Sequence, residues 1–230
     1  GRSALLLLLL LLLLETIRCM GKEIGLLLND KKCEFISRSA VSVDPAFRNC
    51  AHLSTEEAEI IEAPLTIEST MDTALSSRCD DLARAATRFG SIAAHDALVL
   101  LKASFSAPKL MHTMRASPCS GHAALHKFDG LLRDCVCTIT NTDLTDVQWI
   151  QASLPVRNGG LGVRRVSSLA LSAFLASAAG TRDLQDLILS RCDASVDSAV
   201  DLVMDQWTII HGQSGISQPV GPSAAKQHEW

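Results

Sequence analysis

The chain has 230 residues, 47% of them apolar, only 4% aromatic, no tyrosine, and a formal net charge of −4. Its length suits one large or two small domains, and its apolar content suffices for a packed core. The acidic balance argues against an autonomous nucleic-acid binder with a basic face, and the aromatic shortage against a base-stacking platform. The charge is uneven: −2 over residues 1–66, +2 over 67–166 and −4 over 167–230. Any grip on a template therefore rests on a few placed Lys and Arg. Eight cysteines (19, 33, 50, 79, 119, 135, 137 and 192) are spread too thinly for a disulfide framework. Free thiols in a reducing compartment follow, which favours an intracellular location, cytoplasm or nucleus, over secretion.

Residues 1–14 are Gly-Arg-Ser-Ala and ten leucines. The run imitates a secretory signal but is shorter than the roughly 20 residues of a membrane span. The start without Met and the poor cleavage site at Glu15-Thr16-Ile17-Arg18 count against a signal. We read it as low-complexity sequence fused to a helix that continues through Ile17, Met20 and Ile24 and stops at Gly25. Asn29-Asp30 is then a turn and Cys33–Ile36 a short strand. Residues 37–66 read as polar and irregular.

From Glu68 the apolar spacing becomes helical, with Met71, Leu75, Cys79, Leu82 and Ala86 on one stripe. A second helix starts near Ser91, with Ala94, Leu98, Leu101 and Phe105 inside. Pro108 breaks or restarts it, and Leu110, Met111 and Met114 continue. A third helix, about Ala123–Ile139, buries Leu125, Phe128, Leu132 and Val136. Asp143 or Thr145 caps the short helix of Trp149. Helix is expected again from about Arg165, with segments near Val166–Ala179, Thr181–Cys192 and Ser195–Ile210. A Gly/Ser/Pro-containing flexible tail, Gly212–Ser223, leads to a fragment stopping at Trp230.

Between these helices lies Leu154-Pro155-Val156-Arg157-Asn158-Gly159-Gly160-Leu161-Gly162-Val163. Pro155 discourages helix in its predecessor. Asn158-Gly159-Gly160 supplies positions tolerant of positive φ, and Gly162 suggests close approach of another backbone or helix. The stretch holds no acid, base or nucleophile pair, so it reads as a structural joint.

The pattern resembles the L-P-x-x-x-G-G-L-G-[IV] segment that follows the polymerase core in non-LTR (LINE-type) retrotransposon reverse transcriptases. Flanking segments are similar to the same family: His95–Leu98, Ser106–Leu110, Arg115–Cys119 and Ser172–Gly180. The resemblance covers roughly residues 15–230. It implies a mainly α fold: a palm-edge remnant over 15–66, a helical thumb over 67–141, and the joint with its following helices over 142–211. It further implies that Lys32 stands at the motif D lysine, proposed in that family to help pyrophosphate leave, and that Ala63-Pro64-Leu65 marks a hairpin near the primer. There Glu62 replaces an expected glycine and brings negative charge toward a phosphate backbone.

Other constellations carry less. Cys79-Asp80-Asp81 echoes a polymerase x-D-D, but adjacent helical residues point about 100° apart and cannot share two metal ions as a hairpin pair does. We read it as a solvated helix face. Cys119-x-x-His122-x-x-x-His126, with Cys135 and Cys137 downstream, has metal-like spacing without a second ligand pair at a usual interval. His95 and His112 read as structural. There is no G-x-S-x-G, phosphate loop, Rossmann glycine set or H-E-x-x-H.

The expectation is therefore a piece of an RNA-directed DNA polymerase without its catalytic Asp-Asp hairpin, inactive alone. Magnesium, RNA template and DNA primer are implied only for the full-length polymerase; this piece takes no cofactor, no membrane and at most weakly bound nucleic acid. The rival reading is a non-enzymatic helical interaction module, secreted by way of the leucine tract.

Overall fold

The computed structural model describes residues 2–36, 45–54, 58–60, 63–64, 69–189, 198–212 and 217–230. The expectations at Glu62, Leu65, Glu68 and Cys192, and the expected helix start at Ser195, lie outside them. The described residues are mainly helical, and they fall into two compact units, Gly1–Ala58 and Glu59–Trp230. Among them no helix is long and apolar enough to cross a membrane.

In the first unit, α1 spans Arg2–Glu23. It ends as the sequence predicts: Gly25 has φ +79°, and the amides of Leu26 and Gly25 donate to the carbonyls of Gly21 (2.8 Å) and Lys22 (3.2 Å). This paired closure satisfies carbonyls that the last helical turn leaves without intrahelical donors. Arg18 ties the helix to the 3-10 turn Asp30–Lys32 through Asp30 at 3.0 Å. The predicted strand is β1, Glu34–Ile36. A partner for it was not expected: β2, Ala51–Leu53, pairs parallel to β1, so 37–66 is not irregular throughout. Phe35 stacks near Phe47 and His52, with ring centroids 5.1 and 5.5 Å away. A three-residue strand is too short to show an alternating pattern in the sequence; the Ala51 amide donates to the Cys33 carbonyl at 2.8 Å and so fixes the start of the pairing.

The second unit opens with an antiparallel pair, β3 (Glu59–Ile60) and β4 (Ala63–Pro64). Helix α2, Ser69–Phe89, buries Met71, Leu75, Cys79 and Leu82 as the stripe predicts. Helix α3 runs Ala94–Leu100 and passes into a π turn, Leu101–Phe105. Ala94 is exposed rather than inside, because the chain enters the helix there and Ala97 is the first residue to face the core. Pro108 restarts the chain in α4, Ala107–Ala116, occupying the first turn, where its missing N–H costs nothing. The hydroxyl of Ser117, just after α4, donates to the Pro64 carbonyl at 2.9 Å and docks the strand pair.

Helix α5, Ala123–Thr140, buries Leu125, Phe128, Leu132 and Val136 completely and packs along α2. Asn141 closes it with φ 50°. Helix α6 is Asp146–Ala152. Helix α7 is a single element, Ala170–Leu189, rather than two, and helix does not resume at Arg165. Gly180 does not interrupt it; a Cβ there would stand 3.3 Å from that of Ala225, so the glycine serves close packing. Helix α8, Ser198–His211, packs on α7, with Phe174, Leu175, Val203 and Trp207 forming a second apolar cluster.

Residues 217–230 are not a free tail. The 3-10 turns Gly221–Ala225 and Gln227–Glu229 lie against α7, and Trp230 meets Trp207 edge-on at 5.6 Å while its indole N–H donates to Ala224 at 2.7 Å. Polar composition suggested a tail; one aromatic pair and the small residues Gly180 and Ala225 anchor it instead.

Candidate functional site

The joint begins with the N-terminus of α6. Thr145, one of the two predicted caps, exchanges bonds with Gln148: its main-chain N–H donates to Oε1 at 2.8 Å, and its hydroxyl oxygen accepts from the Gln148 amide. Trp149, 7% exposed, enters the core beside Ala152, Val163 and Val166. After α6 the chain folds back on itself. The Leu161 amide donates to Ala152 at 2.8 Å and that of Gly162 to Leu154 at 2.9 Å. Pro155 stands before the 3-10 turn Val156–Asn158, and its carbonyl accepts from Asn158 (2.8 Å) and Gly160 (3.2 Å). The side chain of Leu154 is exposed, so at that position the backbone carbonyl makes the structure.

Each glycine of the joint meets a requirement of the backbone. Gly159 has φ +80°, the left-handed conformation that closes the turn. Gly160 is not left-handed; a Cβ there would lie 2.1 Å from the Leu154 carbonyl oxygen and 2.7 Å from that of Gln151. Asn158 adopts no positive φ, since the 3-10 turn holds it and Gly159 alone takes the reversal. Gly162 has φ +78°, and what presses on it is a helical side chain rather than a backbone: Lys102 of the π turn, whose Cε would be 2.9 Å from its Cβ.

A residue absent from the sequence reading holds this region. Asp129, buried on α5, accepts from the Val166 amide (2.7 Å), the Ser167 amide (3.1 Å) and the Ser167 hydroxyl. These amides are held by a carboxylate rather than by helical carbonyls, and α7 starts only at Ala170. Its signal was legible: Asp129 falls among Leu125, Phe128, Leu132 and Val136 on the buried face, and a carboxylate there requires donors.

The remaining candidates lie apart in role. Lys32 is exposed at the end of its 3-10 turn, in the first unit. Asp80 is exposed on α2, but Asp81 is more than a solvated face: it pairs with Lys109 of α4 at 3.0 Å, with Arg84, and with Arg78 at 3.8 Å. The hydrogen bond from Lys109, with the charges of Lys109, Arg84 and Arg78, holds its carboxyl below the usual aspartate range despite partial desolvation. His122 is the N-cap of α5. Its Nδ1 accepts from Ala124 at 3.1 Å and its Nε2 faces Asp72 at 3.0 Å, so both ring nitrogens are engaged. His126 is exposed, as are His95 and His112, which the sequence reading made structural. Cys119 and Cys135 are buried, and burial pushes each thiol up to about 11. Such thiols remain protonated near neutrality and are poor nucleophiles. Among the described residues no group of three or more His, Cys, Asp or Glu is placed to hold a metal ion.

The joint can therefore fix the angle between α6 and the helices after it, and offers no group for acid, base or nucleophilic work. A scan against protein-family models, a search of curated proteins and a search of solved structures each return no match to this chain.

Proposed function

We propose that the chain derives from the helical thumb and connection of a non-LTR retrotransposon reverse transcriptase and does not polymerise by itself. The observation that carries this reading is the Leu154–Val163 stretch, in which every glycine of the L-P-x-x-x-G-G-L-G-V pattern answers a backbone demand, positive φ at Gly159 and Gly162 and space at Gly160. A pattern that specific to geometry is a better mark of descent than composition. The placement of Asp80 and Asp81 supports the non-catalytic half. They do not fit a two-magnesium site, being neighbours on one helix with Asp81 taken up by Lys109 and Arg84. In the complete polymerase, the chain's part is to position neighbouring elements around RNA template and DNA primer.

Two measurements test the reading. Purified chain, given a primed RNA template, magnesium and nucleotides, is expected to add nothing; any template-dependent incorporation overturns the non-catalytic half, and Asp80→Asn and Asp81→Asn show whether those carboxylates carry it. Sequencing the transcript upstream is expected to find a frame encoding an Asp-Asp hairpin; a start codon and signal joined directly to Gly1 overturns the descent.

A further inference from the structure

The C-terminal turns of α2 and the π turn Leu101–Phe105 border an open groove of about 370 Å³. Its floor is apolar, with Phe89 buried and meeting Phe105 edge-on, centroids 5.7 Å apart. Ile92 and Leu100, 42% and 44% exposed, form its lips. Its rim is basic: Arg84 and Arg88 from α2 and Lys109 from α4 surround one carboxylate, Asp81, which leaves an excess of two positive charges. Arg88 is exposed and forms no ion pair among the described residues. Phe105 ends the π turn, and such turns recur at functional positions. Exposed aliphatic side chains inside a charged rim are the mark of an interaction surface.

We propose that this groove docks an acidic amphipathic segment of a partner protein, a leucine or phenylalanine of which fills the floor while its Asp and Glu face Arg84 and Arg88. Charge complementarity selects acidic flanks, and the apolar floor selects a side chain over a phosphate backbone. A nucleic acid satisfies the rim alone, because its backbone brings no aliphatic group to the apolar floor. The proposal is independent of descent from a polymerase.

The test selects random peptides about fifteen residues long, some four helical turns, on the full chain, then measures the enriched peptides by fluorescence anisotropy. Enriched sequences are expected to place Leu or Phe at helical spacing among Asp and Glu. Arg88→Glu and Leu100→Glu, both at exposed positions, are expected to weaken them roughly tenfold or more, with melting temperatures unchanged. No enrichment, enrichment without acidic residues, or affinity indifferent to both substitutions overturns the proposal. So does an RNA oligonucleotide of similar length that binds more tightly than the peptides and is displaced by the same substitutions.

Discussion

The Asp129 carboxylate on α5 accepts the Val166 amide at 2.7 Å across 37 residues of chain, and so joins α5 to the exit of the Gly-Gly joint. It also takes both donors of Ser167. Asp129→Ala removes the acceptor from all three while Val166 stays buried. Each donor left buried and unpaired costs roughly 1–3 kcal/mol. Asp129→Asn keeps one oxygen and is expected to be milder. Urea denaturation of the two variants checks this; midpoints equal to the parent's mean the bonds contribute nothing net.

Gly159 and Gly160 are adjacent but answer to different forces, and substitution separates them. Asparagine tolerates the left-handed region, so Gly159→Asn is expected to be nearly neutral, whereas Gly159→Val costs about 1–3 kcal/mol of backbone strain. Gly160→Ala places a carbon against the Leu154 carbonyl and must open the adjoining bonds at Leu161 and Gly162. It is expected to destabilise more than Gly159→Asn in thermal melts, while filter-binding titrations with RNA stay flat. An equal response at both positions rules out the steric account of Gly160.

Trp149 enters the same core from the opposite side of the joint. Trp149→Ala is expected to cost about 3–5 kcal/mol, the scale for a buried large aromatic. A loss below about 1 kcal/mol in chemical denaturation shows that the indole is not packed as described.

Asp81 carries a pH dependence whose sign is set by its lowered carboxyl, for which the Lys109 hydrogen bond is the main cause. A depressed folded-state value gives stability that is full above the unfolded aspartate value, about 3.9, and is lost as pH falls through the folded value. Asp81→Asn should therefore lower stability near neutrality by about 0.2–1 kcal/mol, the scale of a partly exposed ion pair. The parent and variant then converge as acid protonates Asp81. Denaturation curves across the acid range decide it: a gap constant down to the lowest pH marks a packing effect rather than an ionic one.

RNA binding by the whole chain is expected to be weak and only shallowly salt-dependent, since a net charge of −4 leaves few phosphate contacts. Each such contact contributes roughly −0.9 to the log–log slope on duplex DNA, less on single strands. Titrations at several salt concentrations read this directly, and a steep slope means that the Lys and Arg of residues 67–166 form an organised groove.

What the sequence determined by itself is whatever depends on neighbours within a turn or two. The Met71–Leu82 and Leu125–Val136 stripes were legible because a 3.6-residue period decides which side chains share a face. Gly25 and Thr145 were legible because helix ends need local partners for unpaired backbone groups. The joint's location was legible too, since a proline followed by paired glycines leaves few conformations. Its internal logic was not: that Gly160 is required for space and Gly159 for φ depends on where the Leu154 carbonyl comes to lie. Tertiary structure alone decided that the amides of Val166 and Ser167 bond to Asp129, and that α7 starts at Ala170 rather than near Arg165. It also decided that α7 runs unbroken through Gly180 and that Trp230 docks on Trp207. Each of these rests on a contact between residues far apart in the chain, where no local period or propensity records the partner.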